Sequence, residues 1–137
     1  MAEQIEVGVG MPYALLLDEF GSQVWSAFGQ PPYLVGSALH GKTWRDVDVR
    51  LIMSDDDYER WELGDPKHPH QNARWISLVL AYWALGTALT GLPVDFQIQQ
   101  QTWANITYPG ARSAIGTVPL RFVDPPDAKL TASEEVR

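Results

Sequence analysis

The chain has 137 residues, 45% of them hydrophobic, and its 17 acidic residues against 10 basic ones give a formal net charge of −7. This length suits one domain with a single core, and the acidic balance argues against a broad nucleic-acid-binding face, which needs an excess of Lys and Arg. The absence of cysteine excludes disulfides, a thiol nucleophile and a cysteine zinc site. Because the N-terminal residues show no signal-peptide pattern, we expect a cytoplasmic protein.

The first half of the chain predicts one helix and two strands. Apolar residues at three- and four-residue steps from Tyr13 to Phe28 give a helical stripe, which Gly29 ends. Residues 33–35 form a short apolar strand that Gly36 closes. Residues 46–53 alternate between polar and apolar side chains, as a strand with one buried face does.

The second half predicts a loop, a helix and a further strand. Residues 55–72 are polar and broken by proline, so we expect a short helical turn followed by a surface loop, with Asn72 capping the next helix. Residues 75–94 carry no charge and are long enough to cross a bilayer. Glycines and a proline interrupt them, however, so we expect no membrane span but a fully buried helix that ends at Gly91. Residues 94–99 alternate again and form a strand.

The C-terminal part gives weaker signals. Residues 103–117 suggest a helix broken at Pro109, and residues 118–122 suggest an edge strand. Residues 124–137 are acidic and contain proline, so we expect a flexible tail after a single domain of residues 1–123. The first two strands lie close in sequence and should pair. The predicted fold is therefore a small α/β (α+β) domain, with helices on one face of a mixed sheet and a polar cleft on the other.

Two carboxylates stand one residue apart on the second predicted strand. Asp46 and Asp48 lie on one face of that strand, and Arg50 shares it. Like charges at this spacing repel one another. A bound divalent cation allows both to stay ionised, and oxygen ligands favour magnesium or manganese.

The stretch before these acids also matches a phosphate-binding motif. Residues 36–43 satisfy the P-loop pattern G-x-x-x-x-G-K-T, in which Lys42 would reach the β- and γ-phosphates and Thr43 a magnesium ion. A P-loop must open a helix, whereas the residues after Thr43 lead into a strand pattern. A P-loop NTPase is therefore the less favoured interpretation.

The same residues support a second interpretation. An apolar strand, Gly36-Ser37, a spacer of eight residues and Asp46-x-Asp48 together resemble the nucleotidyltransferase superfamily of the DNA polymerase β type, and particularly its minimal single-domain members. The resemblance covers roughly residues 30–100. It implies a palm-like fold, in which Gly36 and Ser37 bind the nucleotide's phosphates. Asp95, in the strand of residues 94–99, matches the family's third acid.

The resemblance also implies an activity. Such an enzyme transfers a nucleoside monophosphate from ATP or another NTP to an acceptor hydroxyl, on an RNA end, a protein or a small molecule, and releases pyrophosphate. Asp46, Asp48 and Asp95 would be its catalytic residues and would hold two Mg²⁺ or Mn²⁺ ions. An arginine common after the family's Gly-Ser pair is absent here, and Lys42, Arg45 or Arg50 would replace it at the phosphates.

Two further points complete the implied function. Small members of the family usually need a second chain to recognise the acceptor, which would be a second copy or a partner protein. The alternative to an enzyme is a module with an inactive nucleotidyltransferase fold, which binds a nucleotide or a partner without turnover.

Overall fold

A computed structural model describes residues 9–10, 12–40 and 46–116. Its elements follow the chain in the order α1 (Tyr13–Phe28), β1 (Tyr33–Val35), α2 (Ser37–His40), β2 (Val47–Met53), α3 (Asp55–Arg60), a 3₁₀ turn (Pro69–Gln71), α4 (Ala73–Thr90), β3 (Val94–Gln100), α5 (Gln101–Thr107) and β4 (Ser113–Ala114).

The four described strands form one mixed sheet in the order β3-β2-β1-β4. β1 runs antiparallel to β2 and to β4, whereas β2 and β3 are parallel. The register places Val35 of β1 beside Asp48, and Asp48 beside Asp95 of β3. This confirms the predicted pairing of the first two strands and the small α+β fold.

Alternation along β2 and β3 separates an apolar face from a polar one. The apolar side chains of both strands are buried: Val47, Val49, Leu51, Met53, Val94, Phe96 and Ile98. Helices α1 and α4 cover this face. Phe20 of α1 meets Phe96 edge-on with ring centroids 6.0 Å apart, and a Cβ on Gly86 of α4 would lie 3.0 Å from both Phe20 and Val94. The opposite face carries Asp48, Arg50, Asp95, Gln97 and Gln99, whose side chains are partly buried.

The helix boundaries follow the expected capping residues. Helix α1 ends at Gly29, which takes a left-handed conformation with φ of 84°. The Asn72 side chain accepts a hydrogen bond of 2.8 Å from the Trp75 amide at the start of α4. Gly91, with φ of 75°, ends that helix as predicted.

The prediction of a fully buried α4 was wrong. Only one face of the helix is buried, and Leu80 is 59% exposed and Trp83 40% exposed on the outer side. α4 belongs to a single layer of helices on the sheet, so its outer side is exposed. An uncharged sequence alone does not show whether a second layer covers a helix. Across the described ranges, the structure contains no helix that is long and apolar enough to cross a membrane.

The segment after β3 also differs from its prediction. Helix α5 begins at Gln101 and ends at Thr107, before Pro109, and β4 follows it. The carboxylate of Asp55 accepts hydrogen bonds from the Thr102 amide (3.1 Å) and hydroxyl (2.6 Å), so another helix caps α5. Such a distant partner leaves no local sequence signal. The predicted strand at 118–122, the tail at 124–137 and the boundary at 123 lie outside the described residues.

Candidate functional site

A glycine bend connects β1 to the polar face of the sheet. Gly36 has φ of +77°, and a Cβ there would lie 2.5 Å from Oδ2 of Asp48. Only glycine meets both demands without strain. The exposed Ser37 opens the short helix α2, which is anchored through buried Ala38 and Leu39. The bend therefore holds its backbone against the first carboxylate of β2.

Two of the three predicted acids are cross-strand neighbours. Asp48 and Asp95 occupy the same register on parallel strands, and both side chains are mostly buried. Asp46 is exposed and precedes β2, which begins one residue later than predicted. Burial raises the pKa of the Asp48 carboxyl, Arg50 lowers it, and the charges of Asp95 and Asp46 raise it further. The three acids thus share one region of negative potential.

Arg50 is the counterion of this region. Its guanidinium lies 3.5 Å from the Asp95 carboxylate and 3.8 Å from that of Asp48. It also donates a hydrogen bond of 2.6 Å to the backbone carbonyl of Asp95 and one of 3.2 Å to that of Val49. The side chain is only 14% exposed. The alternation of β2 therefore places Arg50 on the face of the acids, as predicted.

A cavity of about 570 Å³ opens on this polar face. Its volume falls within the range of small-molecule sites. The lining comes from β1, the Gly36 bend, β2, β3 and the segment before β4: Val35, Gly36, Ser37, Asp48, Arg50, Ile52, Gln97, Gln99, Tyr108, Gly110, Ala111 and Arg112. The last four of these belong to the segment between α5 and β4, and β4 pairs with β1. Arg112 is fixed there by hydrogen bonds to the Asn105 side chain (2.9 Å) and the Tyr108 carbonyl (3.2 Å).

The structure brings most, but not all, of the predicted site residues to this cavity. Gly36, Ser37, Asp48 and Arg50 line it. Asp95 adjoins it through Arg50, and Asp46 contributes its charge without bordering the cavity. The predicted phosphate ligand Lys42 lies outside the described residues.

Sequence reasoning missed the rest of the lining. Gln97 and Gln99 share the face of Asp95 on β3, so the alternation that singled out the acid also placed them. Tyr108 and Arg112 belong to an irregular segment. No local pattern places that segment over the sheet.

The donor chemistry of the acids suits a divalent cation. Carboxylate oxygens are the ligands that Mg²⁺ prefers. Burial raises the pKa of the Asp48 carboxyl most, and the nearby charges of Asp95 and Asp46 raise it further. Asp48, Asp95 and Asp46 would hold such an ion. Within the described part of the chain, no three acidic or imidazole side chains are grouped closely enough to bind a metal. Cation binding therefore requires the side chains, including that of Arg50, to rearrange.

The structure gives the P-loop interpretation no support. Residues 37–40, which a P-loop would hold as part of an open loop, are helical, and β2 begins at Val47.

Comparison with known proteins adds no identification. No protein-family model, curated protein or solved structure matches the chain. The candidate function therefore depends on the site itself and on the resemblance of its motifs.

Proposed function

We propose that this protein is a metal-dependent nucleotidyltransferase, which moves a nucleoside monophosphate from an NTP to an acceptor hydroxyl. The observation that carries the proposal is the alignment of Asp48 with Asp95 on adjacent parallel strands, beside the Gly36 bend and at the edge of a cavity. Residues 47 positions apart are thereby brought together. The resemblance to the nucleotidyltransferase motif requires that Asp48 and Asp95 lie side by side.

Each residue has a defined part in the proposed reaction. Gly36 lets the backbone approach the triphosphate, and the Ser37 hydroxyl donates a hydrogen bond to a phosphate oxygen. Arg50 turns from the carboxylates to the phosphates, where a guanidinium binds oxygen pairs well. Asp46, Asp48 and Asp95 would hold divalent cations, which would supply positive charge to the reacting phosphoryl oxygens.

The transfer is an in-line displacement. The acceptor oxygen forms a bond to the α-phosphorus while the bond from that phosphorus to the bridging oxygen of the β-phosphate breaks. Pyrophosphate leaves with the electron pair of that bond. Asp95 takes the proton of the attacking hydroxyl and then releases it to solvent.

One observation favours the alternative of a binding module without turnover. Arg50 already pairs with both Asp48 and Asp95, as a permanent counterion would in an inactive protein. If this pairing persists when nucleotide binds, no cation can occupy the site. Such a protein would bind NTP with an affinity that is independent of Mg²⁺.

A label-transfer assay tests the proposal. The full chain is incubated with each of four α-³²P-labelled NTPs, Mg²⁺ and cell extract, and labelled acceptor and pyrophosphate are measured. We expect transfer by the wild type and its loss, by at least 100-fold, in Asp48→Asn and Asp95→Asn, since metal-ligand carboxylates contribute several kcal/mol to such reactions.

The matched control is Asp56→Asn, an exposed aspartate in the first turn of α3. It should keep wild-type transfer. Mg²⁺-independent NTP binding with no labelled product from any NTP would contradict the enzyme and favour the binding module.

A further inference from the structure

The strand order of the sheet gives the proposed reaction a direction. In an in-line displacement the attacking and leaving oxygens lie on opposite sides of the phosphorus. In the proposed reaction, the Gly36 bend at the end of β1 holds the leaving phosphates. Asp48 lies on β2 and Asp95 on β3. Adjacent strands are about 4.8 Å apart, so the reaction axis crosses the strands from β1 to β3. The acceptor hydroxyl therefore lies over β3.

The face of β3 that the acceptor meets is polar but uncharged beyond Asp95. Gln97 and Gln99 follow Asp95 on the same face, and both line the cavity. The Gln97 amide has only a marginal contact of 3.5 Å with the Asp95 carboxylate. Each amide offers two donors and an accepting oxygen. These groups suit hydroxyls better than phosphates.

The cavity limits the size of the acceptor. From Asp48 to Ile52 its floor runs four residues along β2, about 13 Å at the strand rise. Tyr108 and residues 110–112, in the segment that leads to β4, form a further wall, so the cavity of about 570 Å³ suits a small molecule. A nucleic-acid strand needs an open passage and a row of cations. Among the described lining residues only Arg50 and Arg112 are basic, and Arg50 serves the phosphates.

We propose that Gln97 and Gln99 are the acceptor-binding residues, and that the acceptor is a small, uncharged, hydroxyl-rich molecule of the sugar or polyol class. The amides hydrogen-bond its hydroxyls and present one of them beside Asp95. The ring of Tyr108 offers an apolar surface to the C–H groups of the acceptor. This inference rests on the proposed nucleotidyltransferase function and adds the substrate class.

The test separates acceptor binding from nucleotide binding. Binding of a non-hydrolysable α,β-methylene NTP with Mg²⁺ is measured by calorimetry. Label transfer is measured to the low-molecular-weight, RNA and protein fractions of a cell extract, and to a panel of neutral sugars and polyols. The variants are Gln97→Ala and Gln99→Ala, with Gln97→Asn and Gln99→Asn as milder forms. Gln101→Ala, exposed and outside the cavity lining, is the control.

We expect label in the low-molecular-weight fraction and on a member of the panel. The alanine variants should raise the acceptor KM about tenfold, the value of one lost hydrogen bond, and leave nucleotide affinity within about twofold of the wild type. The control should match the wild type.

Three results would overturn the inference. Label confined to RNA or protein would leave the proposed function intact but refute the acceptor class. Unchanged acceptor KM in the glutamine variants would refute the role of Gln97 and Gln99. If the wild type labels none of the fractions and no member of the panel, the proposed function is refuted, and this inference is refuted with it.

Discussion

Replacing Arg50 with alanine tests the electrostatic description of the site. The guanidinium lies 3.5 Å and 3.8 Å from two mostly buried carboxylates and donates a hydrogen bond of 2.6 Å to the Asp95 carbonyl. Exposed ion pairs contribute only about 0.2–1 kcal/mol, whereas hydrogen bonds to charged groups contribute about 1.5–3 kcal/mol. Since Arg50 is mostly buried, we expect Arg50→Ala to lower the free energy of unfolding by about 2 kcal/mol at neutral pH.

The assay is urea and thermal unfolding followed by circular dichroism. For 137 residues a loss of this size lowers Tm by roughly 7 °C. Asp95→Asn added to Arg50→Ala should restore part of the loss, because it removes one of the unpaired charges. Mg²⁺ should stabilise Arg50→Ala more than the wild type, because the ion no longer competes with the guanidinium.

The control is Arg74→Ala, which removes an exposed ion pair of 3.6 Å to Glu62 and should change stability by less than about 0.5 kcal/mol. Equal stabilities of Arg50→Ala and the wild type, with no added effect of Mg²⁺, would refute the role of Arg50 as the counterion.

Four further substitutions probe the fold and the site. Gly36→Ala should destabilise the protein by about 1–3 kcal/mol in urea unfolding, from positive φ and the clash with Asp48, and should weaken nucleotide binding; an unchanged unfolding midpoint would contradict the bend geometry. Because the pKa of Asp48 is raised in the folded state, stability falls as pH rises through and above its ordinary value of 3.8. Asp48→Asn should therefore have a higher Tm than the wild type at pH 7 and an equal one near pH 3; a lower Tm at pH 7 would contradict this. Burial, with a smaller effect of Asp65, raises the pKa of Tyr58 to about 12, so stability should fall between pH 10 and 12 and Tyr58→Phe should lessen that fall; identical alkaline unfolding curves would argue against it. Asp55→Ala should cost about 1 kcal/mol of unfolding free energy through lost capping of α5, and Asp56→Ala is its control.

The local sequence was enough to predict the central elements. Apolar periodicity located α1, an uncharged stretch between Asn72 and Gly91 located α4, and alternation located β2 and β3. The same alternation placed Asp48, Arg50 and Asp95 on the polar sides of their strands. These features were predictable because the period of a strand or helix is a property of a few consecutive residues.

The missed features depend on contacts between distant residues. Helix α5 is capped by Asp55, 47 residues earlier in the chain, and the wall from Tyr108 to Arg112 is irregular. The exposure of Leu80 on α4 depends on which layers pack against the helix. Periodicity carries none of this information.

The parallel pairing of β2 and β3 has a consequence for assembly of the site. Two parallel neighbours need a crossover, and here α3 and α4 form it before β3 can dock. A slip of one residue along β3 would turn Phe96 into the cleft and Asp95 into the apolar core. The carboxylate pair therefore exists only when β3 is docked in this register, and the same docking buries Val94, Phe96 and Ile98. Ligand affinity at this place should therefore report on the fully folded population, and no fragment that ends before β3 can retain it.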